Sequence, residues 1–195
     1  ERTMKNKSKQ VVFLAGRRVV LRPLSKSDIP SLMRWINDPE VRNFIANNFP
    51  QMEANEEAWL ERLSKSDEDI ILAIVTKEGV FIGTMGIHRI NWVDRTATTG
   101  ALIGEKEYWG KGYGSEAKLL LLNYIFNTLG LRKICSSVIA FNKRSYNYSK
   151  KVGYKEEGRL KKHFFRNGKY WDLIQLAIFK KDFMPFWKKY LAEKD

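Results

Sequence analysis

The sequence predicts a single α/β domain around a mixed, mostly antiparallel sheet with flanking helices. Three observations carry that expectation. Alternating apolar runs of strand length open the chain, and strand and helix patterns then alternate to its end. No repeat, linker or low-complexity stretch interrupts them. A length of 195 residues, 44% of them hydrophobic, suffices for one sizeable core and is short for two.

Val11 to Leu14 and Val19 to Leu24, with Arg17-Arg18 between them, read as an opening strand or hairpin. Ser25-Lys26-Ser27-Asp28 supplies capping chemistry for a helix carrying Ile29, Leu32, Met33 and Ile36 at helical spacing, which Asp38-Pro39 ends. A second helix is expected from near Asn55, with Trp59, Leu60 and Leu63 on one face. The apolar run Ile70 to Val75, the turn Lys77-Glu78-Gly79 and the return Val80 to Ile90 make an antiparallel pair. Next come a strand over Thr96 to Ile103, a glycine-rich loop over Gly104 to Gly114, and a helix from Ser115 to Leu129 stopped by Gly130. Lys133 to Ile139 reads as a strand and Asn142 to Val152 as a helix stopped by Gly153. Two closing strands flank Asn167-Gly168, a hairpin-turn pair. Phe183, Phe186, Trp187 and Tyr190 then fall at the spacing of a docked terminal helix.

Composition excludes several classes. No apolar stretch approaches the roughly 18 residues of a membrane span, and Glu1 to Gln10 is a polar, basic segment unlike a signal peptide, read as a flexible tail before a domain over 11–195. One cysteine, Cys135, permits no internal disulfide and points to a reducing, cytoplasmic setting; lying in a strand, it reads as core. Two distant histidines and one cysteine make no metal site. The net charge of +13 invites a nucleic-acid reading, but the basic residues come as scattered pairs, and no recognition-helix, RNP or zinc pattern accompanies them. That charge equally attracts a small anionic cosubstrate.

The chemistry is concentrated in Tyr108-Trp109-Gly110-Lys111-Gly112-Tyr113-Gly114-Ser115, between a strand and a helix. Glycines permit a tight turn and close approach to the backbone, and loop amides with a helix N-terminus suit a pyrophosphate. A Walker A loop would need Ser or Thr after the lysine, where Gly112 stands. A dinucleotide fingerprint would need an acid in the following strand, and Lys133 to Ile139 has none.

The segment resembles instead the cofactor loop of GNAT acetyltransferases, with Gly112 and Gly114 matching and Trp109 standing where Gln or Arg is commonest. Trp-Gly-Lys-Gly-Tyr is similar to the branch that includes ribosomal-protein and spermidine acetyltransferases. Asn142-Lys143-Arg144-Ser145 with Lys151-Val152-Gly153-Tyr154, and the later Glu157-Gly158-Arg159-Leu160, Phe165, Gly168-Lys169-Tyr170 and Asp172, extend the likeness over roughly 19–183.

The resemblance implies a sheet splayed in the middle with pantetheine in the gap, and direct acetyl transfer from acetyl-CoA to a primary amine without metal or acyl-enzyme. It implies Leu102 and Ile103 for pantetheine, 110–115 for pyrophosphate (Gly110, Lys111, Gly112, Tyr113, Gly114 and Ser115, with Trp109 beside them), and Asn142 for the pantetheine arm. Arg144, Lys143 or Lys150 would meet the 3′-phosphate. The family's usual acid, a Tyr seven residues after the Asn, is Ser149 here, with Tyr148 one residue earlier. On an ideal helical wheel Asn142, Ser145 and Ser149 share a face while Tyr148 joins Phe141 and Val152, which points Ser149 at the thioester and Tyr148 into the core. His88 and Glu105 are the candidate bases, with relay of the proton through water the alternative; a strand position often Glu in this branch is Thr98. The acceptor is left open between a protein or peptide N-terminus and a small amine such as a polyamine, aminoglycoside or amino sugar. A homodimer is compatible with this reading, and no membrane partner is expected. A catalytically silent CoA-binding module is the alternative.

Overall fold

The computed structural model describes residues 11–193 and contains eight strands and six α-helices among them. The chain runs β1 (Leu14–Ala15), β2 (Val19–Pro23), α1 (Ile29–Asn37), α2 (Pro39–Arg42), α3 (Glu53–Ser64), β3 (Ile70–Thr76), β4 (Phe81–Asn91) and β5 (Thr96–Ile103). It continues with α4 (Tyr113–Asn127), β6 (Lys133–Ile139), α5 (Lys143–Lys151), β7 (Lys155–Arg166), β8 (Lys169–Phe179) and α6 (Lys180–Ala192). The expected tail over 1–10 lies outside the described residues.

Local chemistry explains most boundaries. Asp38 both ends α1 and caps α2, its carboxylate accepting from the Glu40 amide at 2.8 Å, with Pro39 at the first helical position. Asn55 lies in the first turn of α3, where its Oδ1 accepts from the Met52 amide. Asn167 and Gly168 both take positive φ, 51° and 75°, as a two-residue primed turn requires. α4 begins two residues before the expected Ser115, because Gly112 at φ 89° turns the chain straight into it.

All eight strands form one sheet in the order β1-β2-β3-β4-β5-β6-β8-β7, and only β5 and β6 run parallel. Alternation along the strands separates two cores. Val19, Leu21, Leu72 and Ile74 face α4 and α6, whereas Val20, Ala73 and Val75 lie on the opposite face, where Trp35 of α1 packs at a tilt against Phe81.

The β5–β6 seam positions the site. Their pairing covers only Thr96–Thr98 against Lys133–Cys135, and beyond it the strands part. β6 stays with β8 to its end, from Lys133↔Phe179 to Ile139↔Leu173, while β5 stays with β4 as far as Gly83↔Ile103. At the fork the Ser136 hydroxyl donates to the Thr99 carbonyl at 3.2 Å, and Tyr154 and Thr99 hydroxyls share a buried 2.6 Å bond. Side-chain bonds thus take over where the ladder stops.

Candidate active site

A cleft of about 670 Å³ occupies the fork. Its floor is the diverging pair β5 and β6, its two ends are the glycine loop and α5, and Val41 to Ala46 with Trp59 lie over it.

The loop end is built to receive an anion. Gly110 and Gly112 take φ 74° and 89°, conformations that a side chain would strain, and a Cβ on Gly110 would meet nothing within 4 Å. Gly110, Gly112, Gly114 and Ser115 line the cleft, so open backbone and the N-terminus of α4 converge there. Lys111 and Tyr113 of the same loop are not on the cleft wall. The Lys111 carbonyl accepts from Arg18 Nη1 at 2.9 Å, and the Tyr113 ring packs edge-on against Tyr108.

Arg18 was not legible as a site residue. Its guanidinium lies over the Tyr113 ring at 4.8 Å, 3.6 Å from Glu116 and 2.8 Å from where a Gly112 Cβ would stand. It adds positive charge beside the loop from the turn before β2, 94 positions ahead of Gly112, on no local pattern. Glu116 is buried and gathers the Arg17 and Arg18 amides and the Tyr190 hydroxyl, which fixes the first turn of α4 against the opening hairpin and α6.

Along the gap, the Thr99 and Ile103 carbonyls are taken by Ser136 Oγ and Trp109 Nε1, the latter at 2.6 Å. Strand alternation then turns the backbone of Ala101, which lines the cleft, to the same side. Leu102 and Ile103 also line the cleft, but Leu102 packs against the cluster of Leu32, Trp35 and Val41. An extended arm therefore finds free backbone at Ala101, one residue before the Leu102-Ile103 pair that the sequence singled out.

At the far end Asn142 is the N-cap of α5, its Oδ1 accepting from the Ser145 amide at 3.1 Å, which leaves its NH2 toward the cleft it lines. Arg144 is clasped between Trp109 and Phe44, its guanidinium carbon 3.7 and 4.8 Å from their ring centroids.

The candidate acids exchange places relative to the helical wheel. Tyr148 lines the cleft, whereas Ser149 is buried and absent from the cleft wall. The cause is Asn142, whose backbone (φ −81°, ψ 67°) is not helical, so counting 100° per residue from it misplaces the phase of α5. Burial pushes the Tyr148 phenol well above its usual range.

The candidate bases separate as clearly. His88 lines the cleft with Nδ1 3.3 Å from Asp69 Oδ1, and its ring lies over Gly86 and Gly100. A Cβ on Gly86 would come within 2.6 Å of Nε2. A bulge follows immediately, where Arg89 at φ 52° turns its amide onto the same Asp69 oxygen. Burial depresses the His88 pKa more than Asp69 raises it. Glu105 is absent from the cleft wall. It accepts from Arg34 and from Trp35 Nε1, and the Arg34 bond holds its carboxyl below the usual range. Cys135 is half-buried in β6, and burial pushes its thiol up, consistent with a packing residue.

Among the described residues no three His, Cys, Asp or Glu side chains gather as a metal site, and no helix is long and apolar enough to cross a membrane. The forked sheet and the open glycine cradle fit the extended thiol arm and pyrophosphate of CoA.

Comparison with known proteins agrees. A family model described as an acetyltransferase (GNAT) domain matches residues 18–155. The chain is 28% identical over 176 residues to the SPbeta prophage-derived uncharacterized N-acetyltransferase YokL of Bacillus subtilis (strain 168), covering 89% of this chain and 96% of that one. It is 29% identical over 171 residues to the spermidine N(1)-acetyltransferase of Escherichia coli (strain K12), covering 85% and 88%. The crystal structure of spermidine N-acetyltransferase from Vibrio cholerae, in complex with CoA and spermine, superposes with a TM-score of 0.80 over 86% of this chain and 98% of that one, at 23% identity. The chain belongs to the GNAT acetyltransferases and is an acetyl-CoA-dependent N-acetyltransferase.

Proposed function

We propose that the protein acetylates a single primary amine carried on an uncharged or anionic body, such as a peptide N-terminus or an amino sugar. The carrying observation is the acceptor wall. Val41, Phe44, Ile45, Trp59 and Ile71 are apolar, and among the described residues no Asp or Glu lines the cleft. A polyamine needs carboxylates to replace its lost hydration. At the start of α2, Asp38 and Glu40 are both engaged by Lys106, at 3.0 and 3.3 Å. A net charge of +13 further repels a polycation.

Bound acetyl-CoA supplies an activated acyl carbon and a thiolate leaving group. Its diphosphate would rest on Gly110, Gly112 and the first turn of α4 beside Arg18, and its arm along Ala101 and Asn142. His88, oriented by Asp69, takes the proton that the amine must lose. Tyr148, from the other side of the fork, gives one to the departing sulfur.

The test is CoA release by purified protein over a panel of peptides with free N-termini, amino sugars, aminoglycosides and polyamines. Turnover is expected with the first groups and should be weakest with spermidine and spermine. Polyamines as the preferred acceptors would overturn the acceptor assignment. CoA binding without turnover on any amine would favour a silent binding module.

A further inference from the structure

Lys118 lies in the second turn of α4 with no exposed surface, and its Nζ has no hydrogen-bond partner. It is in phase with Leu121, Leu122 and Ile125 on the stripe that builds the core. Packing does not account for an amine there. A buried ammonium without an acceptor is disfavoured, and an apolar residue of the same length would suit the position better.

Its neighbours give it a use. From α5, the Tyr148 ring centroid lies 5.7 Å from Nζ; from the turn before β7, that of Tyr154 lies equally close. The Tyr154 hydroxyl is committed to Thr99, whereas Tyr148 opens onto the cleft. From β4, His88 is near enough for the Lys118 charge to lower its pKa, with Asp69 and Arg89 beyond it. From β6, Cys135 flanks Tyr154. Glu116 of α4 itself is turned to Arg18 and Tyr190.

We propose that Lys118 is a positioning residue for the acid step, its buried ammonium stabilising the phenolate that Tyr148 becomes as its proton leaves. This rests on the acetyl-transfer reading given above. As the amine nitrogen bonds to the acyl carbon and the C–S bond breaks, the amine proton passes to His88 and the Tyr148 proton to sulfur. His88 returns its proton to Tyr148 through solvent, so the protein ends as it began. Without a nearby cation, burial would hold the Tyr148 proton too tightly to be given up; a positive charge in a low-dielectric wall favours the phenolate.

The same burial lowers the Lys118 pKa to about 7. The ammonium is then present at and below neutrality and lost above it, so kcat should fall as pH rises through that value. The acid-side limb belongs to His88, which must be neutral to accept a proton and titrates below its ordinary value. A bell-shaped kcat profile results.

Lys118→Met is the test, read with Tyr148→Phe and the double variant. Lys118→Met should lower kcat about tenfold or more, leave amine KM and CoA affinity unchanged, remove the alkaline limb and raise the melting temperature. The double variant should lose no more than Tyr148→Phe alone. In protein carrying 13C-labelled lysine, one resonance should titrate near 7, vanish in Lys118→Met and shift in Tyr148→Phe. Retention of wild-type kcat and of the alkaline limb by Lys118→Met overturns the assignment, as do losses that multiply in the double variant. Absence of turnover in the wild type overturns the acetyl-transfer reading and the acid role with it. A resonance near 7 that survives in Lys118→Met overturns the Lys118 assignment alone.

Discussion

His88 Nδ1 and Asp69 Oδ1 stand 3.3 Å apart, and the same carboxylate oxygen accepts from the Arg89 amide. A carboxylate on Nδ1 fixes the proton there and leaves the Nε2 lone pair free beside Gly86 and Gly100. Burial keeps the ring neutral at pH 7, which is the state a base requires.

His88→Gln should therefore lower kcat about a hundredfold, within the usual range for a positioned base, and Asp69→Asn should lower it less. The acid limb of the wild-type profile should lie below 6.5, the unperturbed histidine value, and should disappear in His88→Gln. Glu105→Gln is the control. It should lower the melting temperature by loosening Arg34 and Trp35 while leaving the pH profile in place. An unshifted profile in His88→Gln would remove His88 from the base role.

Gly112 and Gly114 are not equivalent, although both belong to the loop pattern. Gly112 has φ 89° and Arg18 against it, whereas a Cβ on Gly114 would meet Ile103 at an ordinary 3.7 Å. Gly112→Val should weaken CoA binding about tenfold or more, since a β-branched residue resists that backbone. Gly114→Ala should fold and bind nearly as the wild type. Calorimetry with CoA distinguishes them; equal affinities for wild type and Gly112→Val would displace the phosphate site from this loop.

Asn142 holds two positions at once, capping α5 through Oδ1 and facing the cleft. Asn142→Ala should cost about 1 kcal/mol of stability through the lost cap and weaken CoA binding by about 1 kcal/mol through the lost donor. Asn142→Ser keeps capping chemistry, so it should restore the stability more fully than the affinity. Full recovery of both would assign the residue to the cap alone.

Tyr148→Phe should lower kcat about a hundredfold with little change in melting temperature. Ser149→Ala should leave kcat nearly unchanged, because Ser149 is buried off the cleft wall. A loss confined to Ser149→Ala would return the acid role to the serine and show that Tyr148 only lines the wall.

The sequence by itself determined which elements form and in what order. Apolar periods of two and 3.6, Asn167-Gly168, Gly130 and Gly153 specify strands, helices and stops through interactions within a few residues, and the structure follows them closely. The glycine loop was legible for the same reason, since backbone freedom is a local property. Tertiary structure alone decided which side chains meet. Asp69 reaches His88 only because β3 pairs with β4 in register and a bulge at Arg89 turns the amide inward. Arg18 reaches the loop because Glu116 pulls the opening hairpin onto α4. The choice between Tyr148 and Ser149 depends on the phase of a nine-residue helix set by the unwound Asn142, not by residue count. Lys118 stands just before four consecutive leucines in the sequence, where a lone lysine has no readable face; only the packing of α4 against Tyr148 and Tyr154 takes its amine out of water. Short-range sterics write the framework, whereas proximity across the sheet, which no window of sequence contains, assembles the chemistry.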